Sequence, residues 1–404
     1  MTPELTQLLS HRPFTRFLLA RFLGLCASQM LMVSLAWHMY DLTHSAWDLG
    51  LVGLFQFVPA LLFTLPAGQL ADRWHRGRIY ASSVLLQGLT SLTLVGAIGS
   101  GFDSSALILA LSVVLGMARA FQMPAQMALT PLLVPAPLLA RAVALSSSTV
   151  QIAVIGGPAL GGVLYAGGAS AVFAVCAALS LAACALALRV RYAHQPASTG
   201  AVSWRMALAG LGFVWRRKVL LGAVSLDMLA VLLGGAVALL PIYAGEILQV
   251  GPEGLGILRA APAVGALLMS LVLTRWPLQR QVGPLLFGAV AVYGLATVAF
   301  GLSHQFWWSV LALAVTGAAD NISVVVRLTV MQLETPDDMR GRVAAVNSIF
   351  IGASNQLGEF ESGAVAAWWG PEVSAVSGGV GTMLVALLWW WLFPTLAHRD
   401  RLRP

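Results

Sequence analysis

Residues 170–188 read S-A-V-F-A-V-C-A-A-L-S-L-A-A-C-A-L-A-L, with no charge until Arg189. As a helix this run is roughly 28 Å long, close to the thickness of a bilayer's hydrocarbon core. A membrane strand would alternate apolar and polar residues with period two, and this run does not. It reads as a helix that crosses a membrane, and the same reading extends outward in both directions. Blocks of similar character stand at 15–40, 47–71, 79–99, 104–130 and 141–166 before it, and at 219–244, 253–274, 284–302, 306–332, 342–368 and 373–396 after it. The expected fold is all-α, with twelve transmembrane helices.

The composition agrees. Of 404 residues, 58% are hydrophobic and only 10% charged, and the mean hydropathy is +0.83. A soluble domain carries about a quarter charged residues, so these few cannot coat a soluble globule. The start, M-T-P-E-L-T-Q-L-L-S-H-R, lacks the basic, apolar, small-residue order of a cleavable signal. Cys26, Cys176 and Cys184 all fall inside spans, so neither a disulfide framework nor a metal site is expected. The pI is near 9.9, but the basic residues are spread over loops, and no nucleic-acid partner is expected.

Their placement orients the chain. Arg73, Arg76, Arg78, Arg141, Arg189, Arg191, Arg205, Arg216, Arg217, Lys218, Arg275, Arg280, Arg340 and Arg342 fall in one set of loops. The alternate loops carry Asp41, Asp48, Asp103, Glu246, Glu253 and Glu372 and no Lys or Arg. By the positive-inside rule both termini are cytoplasmic. Trp307, Trp308, Trp368 and Trp369 read as an outer aromatic belt, and Trp389 to Trp391 as an inner one. The longest cytoplasmic loop, 189–218, contains P-A-S-T-G and a stretch, S-W-R-M-A-L-A-G-L-G-F-V-W-R-R-K, suited to an amphipathic helix on the inner surface. It separates an N-terminal six-helix bundle, 1–188, from a C-terminal one, 219–404.

The two halves are related. At an offset of 201, Gly116 maps to Gly317, Leu132 to Leu333, Pro135 to Pro336, Arg141 to Arg342, Ser147 to Ser348, Gly157 to Gly358 and Gly162 to Gly363. The matches concentrate at Gly, Pro and Arg, where backbone or charge restricts the choice. Parallel repeats of this kind imply a pseudo-two-fold along the membrane normal and a site between the halves.

The motifs resemble a known family. G-Q-L-A-D-R-W-H-R-G-R, residues 68–78, is similar to the major facilitator superfamily signature between spans two and three, though the interval from Asp72 to Gly77 is longer than usual. G-G-P-A-L-G-G, residues 156–162, resembles the fifth-span motif of its antiporter branches. The runs F-Q-M-P-A-Q-M-A-L-T-P-L-L-V-P and Y-D-L-T-H-S-A-W-D-L-G resemble the bacterial enterobactin-exporter-like subgroup, which handles siderophores and drugs. The resemblance covers essentially the whole chain. It implies the major facilitator fold, two pseudo-symmetric bundles of six, working as a monomer in the bacterial inner membrane.

The resemblance also assigns roles. Gly68, Asp72, Arg73, Gly77 and Arg78 would form an inner gate, with Asp72 meeting the N-terminal end of span eleven, where a helix dipole stabilises an anion. Gly156, Gly157, Gly161 and Gly162 would let span five pack closely, with Pro158 bending it and the outer seal between the halves as the consequence.

Ionisable groups within spans are costly and are functional candidates by default. Here they are Arg21, Arg119, Asp227, Arg259, Asp320, Arg327, Glu359 and Glu361. The offset of 201 places Asp320 on Arg119, in spans that line the central cavity in the family. The two could pair when the cavity is narrow, or each could pair within its own half. Asp227 suits a proton-coupled site, since a carboxyl group away from water takes up a proton more readily. Alternatively it partners an arginine, such as Arg21. Arg327 sits near enough to the inner interface to snorkel. Arg259 requires a carboxylate, from Glu246, Glu253 or Glu359. Glu359 and Glu361 lie in N-Q-L-G-E-F-E-S-G, 355–363, the counterpart of the glycine motif of span five. They are roughly 200° apart on a helix and cannot both face the cavity. One is read as a structural partner meeting span two or an Arg, and the other, with Glu359 preferred, as a proton or substrate site. Gln29, Gln122 and Asn321 add neutral lining; Tyr243 and His38 are weaker candidates, a lone membrane His reading as structural or interfacial.

The expected function is secondary active export of a small organic solute, siderophore- or drug-like, by alternating access with proton antiport. The alternative is a proton-coupled importer of the same fold. No Walker motif is present, so ATP is not the expected energy source. No enzyme chemistry and no cofactor other than the coupling proton is expected.

Overall fold

The computed structural model describes residues 8, 10–190, 192, 204–276, 278, 280–336 and 339–400; the side chains at 64, 65, 68, 69, 71–73, 128, 136 and 204–208 lie outside that description. The described backbone is helical. In chain order the long helices are α1 Arg12–Thr43, α2 Ala46–Arg73, α3 Arg76–Ser100, α4 Ser105–Leu129, α5 Leu139–Ala166, α6 Ala169–Leu188, the short α7 Trp204–Arg216, α8 Lys218–Leu233, α9 Gly251–Arg275, α10 Val282–Gly301, α11 Phe306–Glu334, α12 Arg340–Trp369 and α13 Pro371–Leu392.

Eleven segments among the described residues are long and apolar enough to cross a membrane. The expected span at 342–368 is α12, a helix of 30 residues. It is not among the eleven, because its arginines, glutamates and amides lower its hydropathy. Tight turns separate several helices where glycine accepts a left-handed backbone: Gly168 at φ 120° between α5 and α6, and Gly370 at φ 91° between α12 and α13. Ser104 caps α4, its side chain accepting from the Leu107 N–H at 3.3 Å.

The expected seventh span, 219–244, is not one continuous helix. After Leu233 the chain loosens at Gly234 and Gly235, passes through a 3-10 turn at Ala236–Leu239, and ends in a π-helical turn at Tyr243–Ile247. Two adjacent glycines weaken helix propagation. The Gly234 carbonyl accepts from the Ala236 N–H at 2.8 Å and from the Tyr293 hydroxyl at 3.1 Å, as a broken helix at membrane depth requires.

Two compact units are formed: Met1–Leu42 with Phe55–Ser203, and Thr43–Leu54 with Trp204–Pro404. In the first, Phe14, Phe17, Ile79, Tyr80, Val84 and Leu129 belong to one core. Phe17 and Tyr80 meet edge to face at 5.9 Å, and the Tyr80 hydroxyl donates to the Ala20 carbonyl at 3.1 Å. In the second, Leu220, Val224, Val282, Phe287, Val330 and Val346 form the corresponding core.

Repeat-related glycines pack alike in the two units. A Cβ on Gly116 of α4 would collide with the Gln56 carbonyl of α2, and one on Gly317 of α11 with the Pro262 carbonyl of α9. Gly157 of α5 lies against Gln29 of α1, and Gly358 of α12 against Leu232 of α8. In each unit the fourth span crosses the second, and the fifth crosses the first, with backbone in contact. Close crossings of this kind need small residues at the seam.

Candidate functional site

The buried charges of the second unit form one network. Asp227 projects from α8 and Arg327 from α11, and both are nearly inaccessible, at 5% and 2%. Asp227 Oδ2 and Arg327 Nη1 are 3.0 Å apart, and the same Nη1 donates to Asn347 Oδ1 of α12 at 2.8 Å. Arg327 therefore does not snorkel. Its position on the helix turns it inward, toward α8 and α12, and that angular position outweighs its nearness to the helix end. Nor is Arg21 the partner of Asp227: Arg21 donates to the Ser146 hydroxyl at 2.7 Å, within the first unit.

Asp320 lies two turns before Arg327 on α11. With Asp227, Tyr293 and Ser323 it lines a small cavity. Its neighbour Asn321 accepts from Ser270 of α9 at 3.2 Å.

The two glutamates of α12 have different surroundings. Glu359 Oε1 is 3.9 Å from Arg259 Nη2 of α9, with both side chains near one-fifth exposed. A Cβ on Gly53 of α2 would stand 3.0 Å from Glu359 Oε2. Glu359 thus meets both the expected arginine and span two, which is the structural role. Glu361 accepts from the Ser362 hydroxyl at 3.4 Å. The sequence reading preferred Glu359 as the proton or substrate site; the structure gives it the arginine and span-two contacts expected of the structural partner.

In the first unit Gln122 is buried and accepts from Gln87 Nε2 at 3.0 Å. Arg119 is exposed, with Nη1 3.9 Å from Met32 Sδ. Gln29 is the residue on which Gly157 packs; Gly161 packs on Met30. The neighbour on which the fifth-span motif packs closely is thus α1 of the same unit. Gly162 and Pro158 are buried, and nothing lies within 4 Å of a Cβ on Gly156. Pro158 lies inside α5.

Of the inner-gate motif, the side chains of Gly68, Asp72 and Arg73 lie outside the described residues. Gly77 is buried, its N–H donating to the Tyr192 hydroxyl at 3.3 Å, and Arg78 is exposed. Two other residues are more structural than expected. Trp389 donates to the Ser225 hydroxyl at 2.9 Å, and Trp390 stacks edge to face on Phe287 at 5.3 Å. Neither acts only as a membrane-edge belt. His38 is held by Tyr165 at 2.9 Å and Asp103 at 3.4 Å, and Tyr243 donates to the Gly301 carbonyl at 2.9 Å. His38 is thus tied within the bundle, and Tyr243, a weaker lining candidate from the sequence, is tied likewise.

The sequence put Arg327 among the candidates but set it at the interface, and it gave no sign of Asn347 or Ser323 as members of the site. One signal was available: Asp320, Ser323 and Arg327 stand at i, i+3 and i+7, on one face of a helix.

The family model of the Major Facilitator Superfamily matches residues 17–359. The chain is 26% identical over 392 residues to the enterobactin exporter EntS of Escherichia coli O1:K1, covering 95% of this chain and 92% of that protein. It is 27% identical, with the same coverage, to the exporter of that name from Citrobacter koseri. Among solved structures, the nucleoside transporter NupG superposes with a TM-score of 0.73 at 14% identity, over 94% of this chain and 99% of that one. A bacterial homologue of the human lysosomal transporter Spinster superposes with a TM-score of 0.70 at 14% identity, over 98% and 97%. At such identities these superpositions speak for the fold.

Proposed function

The chain belongs to the Major Facilitator Superfamily and is a multi-pass membrane transporter; from that premise we propose that it exports a small organic solute by proton antiport. The observation that carries the reading is the end-to-end similarity to exporters, which spans both units and not a shared motif alone. The substrate class is siderophore-like or amphipathic and drug-like. The proposed setting is the bacterial inner membrane, with both termini in the cytoplasm and one chain as the working unit.

Within this reading Arg119, Gln29 and Gln122 of the first unit, and Asp227, Asp320, Asn321 and Glu361 of the second, belong to the substrate and proton path. The buried ion pair and the acid beside it support proton coupling. Charges inside an apolar bundle are expensive, and a chain keeps them where they have a task.

The test uses purified protein in liposomes with an imposed pH gradient, offered a catecholate siderophore and ethidium as probes. Flux out of the protein's cytoplasmic side, driven by protons moving the other way, is the expected result. Flux indifferent to the gradient would remove proton coupling. Accumulation in the same direction as the protons would replace export by symport.

A further inference from the structure

The buried charges of the second unit do not balance. Asp227 from α8 and Asp320 from α11 line one cavity, and the Arg327 guanidinium pairs with the first of them. Its Nη1 lies 3.0 Å from Asp227 and also donates to Asn347 of α12 at 2.8 Å. The remaining groups facing the cavity are neutral. Tyr293 of α10 uses its hydroxyl on the Gly234 carbonyl, and Ser323 of α11 carries no charge. Beside the cavity's lining, Ser270 of α9 and Asn321 of α11 bond each other. Among the described residues no hydrogen bond or ion pair reaches the Asp320 carboxylate.

The two acids also differ in access. Asp227 is 5% exposed, whereas Asp320 is only partly buried. An ionised pair already satisfied in an apolar bundle is held in place, because removing either charge strands the other. A second carboxylate beside it, lacking a cation of its own, is the one whose charge is best removed by a proton.

We infer that Asp320 is the carboxylate that binds and releases the coupling proton, while Asp227 stays ionised against Arg327, and Asn347 positions that guanidinium. This rests on the antiport reading and deepens it. The step is an acid–base one: an O–H bond forms on an Asp320 carboxylate oxygen as a proton arrives from water, and the same bond breaks to return the proton to water. No electrons are transferred.

The experiment has two arms on the full-length protein. In lipid nanodiscs, infrared spectroscopy across pH reads the C=O stretch of protonated carboxyl groups. Wild type should show a component that disappears as pH rises. Asp320→Asn should abolish that component. Asn347→Ala, which alters no charge, should keep the component but shift its titration midpoint. The component surviving in Asp320→Asn would overturn the proposal, as would an Asn347→Ala midpoint equal to that of wild type. In liposomes with ethidium and a catecholate siderophore, Asp320→Asn should lose gradient-driven flux at least tenfold. Gradient-driven flux retained by Asp320→Asn sinks the Asp320 assignment alone. A wild type that moves the probes without using the gradient sinks the antiport reading itself, whatever the spectra show.

Discussion

Asp227 and Arg327 illustrate how a buried ion pair behaves when one partner is taken away. Each is almost fully enclosed, and their closest atoms are 3.0 Å apart. Arg327→Ala would leave a carboxylate in an apolar bundle with no cation, at a cost of about 3–5 kcal/mol. Thermal unfolding in detergent should show the loss. The double change Asp227→Leu with Arg327→Met should recover most of it, since both charges then disappear together. A double variant no more stable than Arg327→Ala would mean that the pair contributes through geometry beyond charge. The individual acids were legible in the sequence because a charge stands out in an apolar run. Their partners were not. Partnership depends on which way a side chain points around its helix and which helix lies opposite, and one-dimensional distance from a span end misjudged Arg327 on that account.

At the level of helices, glycines at the crossings set how closely the elements approach. Gly116 and Gly317 lie with backbone carbonyls of α2 and α9 where a side chain would go. Gly116→Val and Gly317→Val should each lower the yield of folded protein and destabilise it by about 1–3 kcal/mol or more, through overpacking. Gly156→Ala is the internal control: nothing lies within 4 Å of the added Cβ, so size-exclusion profile and melting temperature should match wild type. The break after α8 offers a milder test. Tyr293→Phe removes the side-chain donor to the Gly234 carbonyl and should cost about 1 kcal/mol, read as a lowered melting temperature. The repeat was visible in the sequence because glycine is irreplaceable at such seams. The break was not, because an apolar run containing two glycines has the same hydropathy whether or not it is continuous.

For the whole molecule, net charge and its distribution give the prediction. The formal charge is +7, with the basic residues in alternate loops, so both termini should lie in the cytoplasm. The native Cys26, Cys176 and Cys184 are buried, so a single introduced surface thiol reports cleanly. On intact cells a membrane-impermeant maleimide should label Phe102→Cys, in the loop between α3 and α4, and should spare Arg78→Cys at the start of α3. The reverse pattern would invert the topology.

The sequence by itself determined that the chain is helical, crosses a membrane many times, is built from two related halves and resembles one transporter superfamily. Each of these follows from hydropathy, spacing or backbone-restricted residues, which are properties of the chain read along its length. The tertiary structure alone decided which polar groups meet: Arg327 with Asp227 and Asn347, Glu359 with Arg259, and Asp320 with no ion-pair partner among the described residues. The reason is physical. A charge in an apolar bundle is placed by the rotation and crossing of several helices at once, and no single helix carries that information.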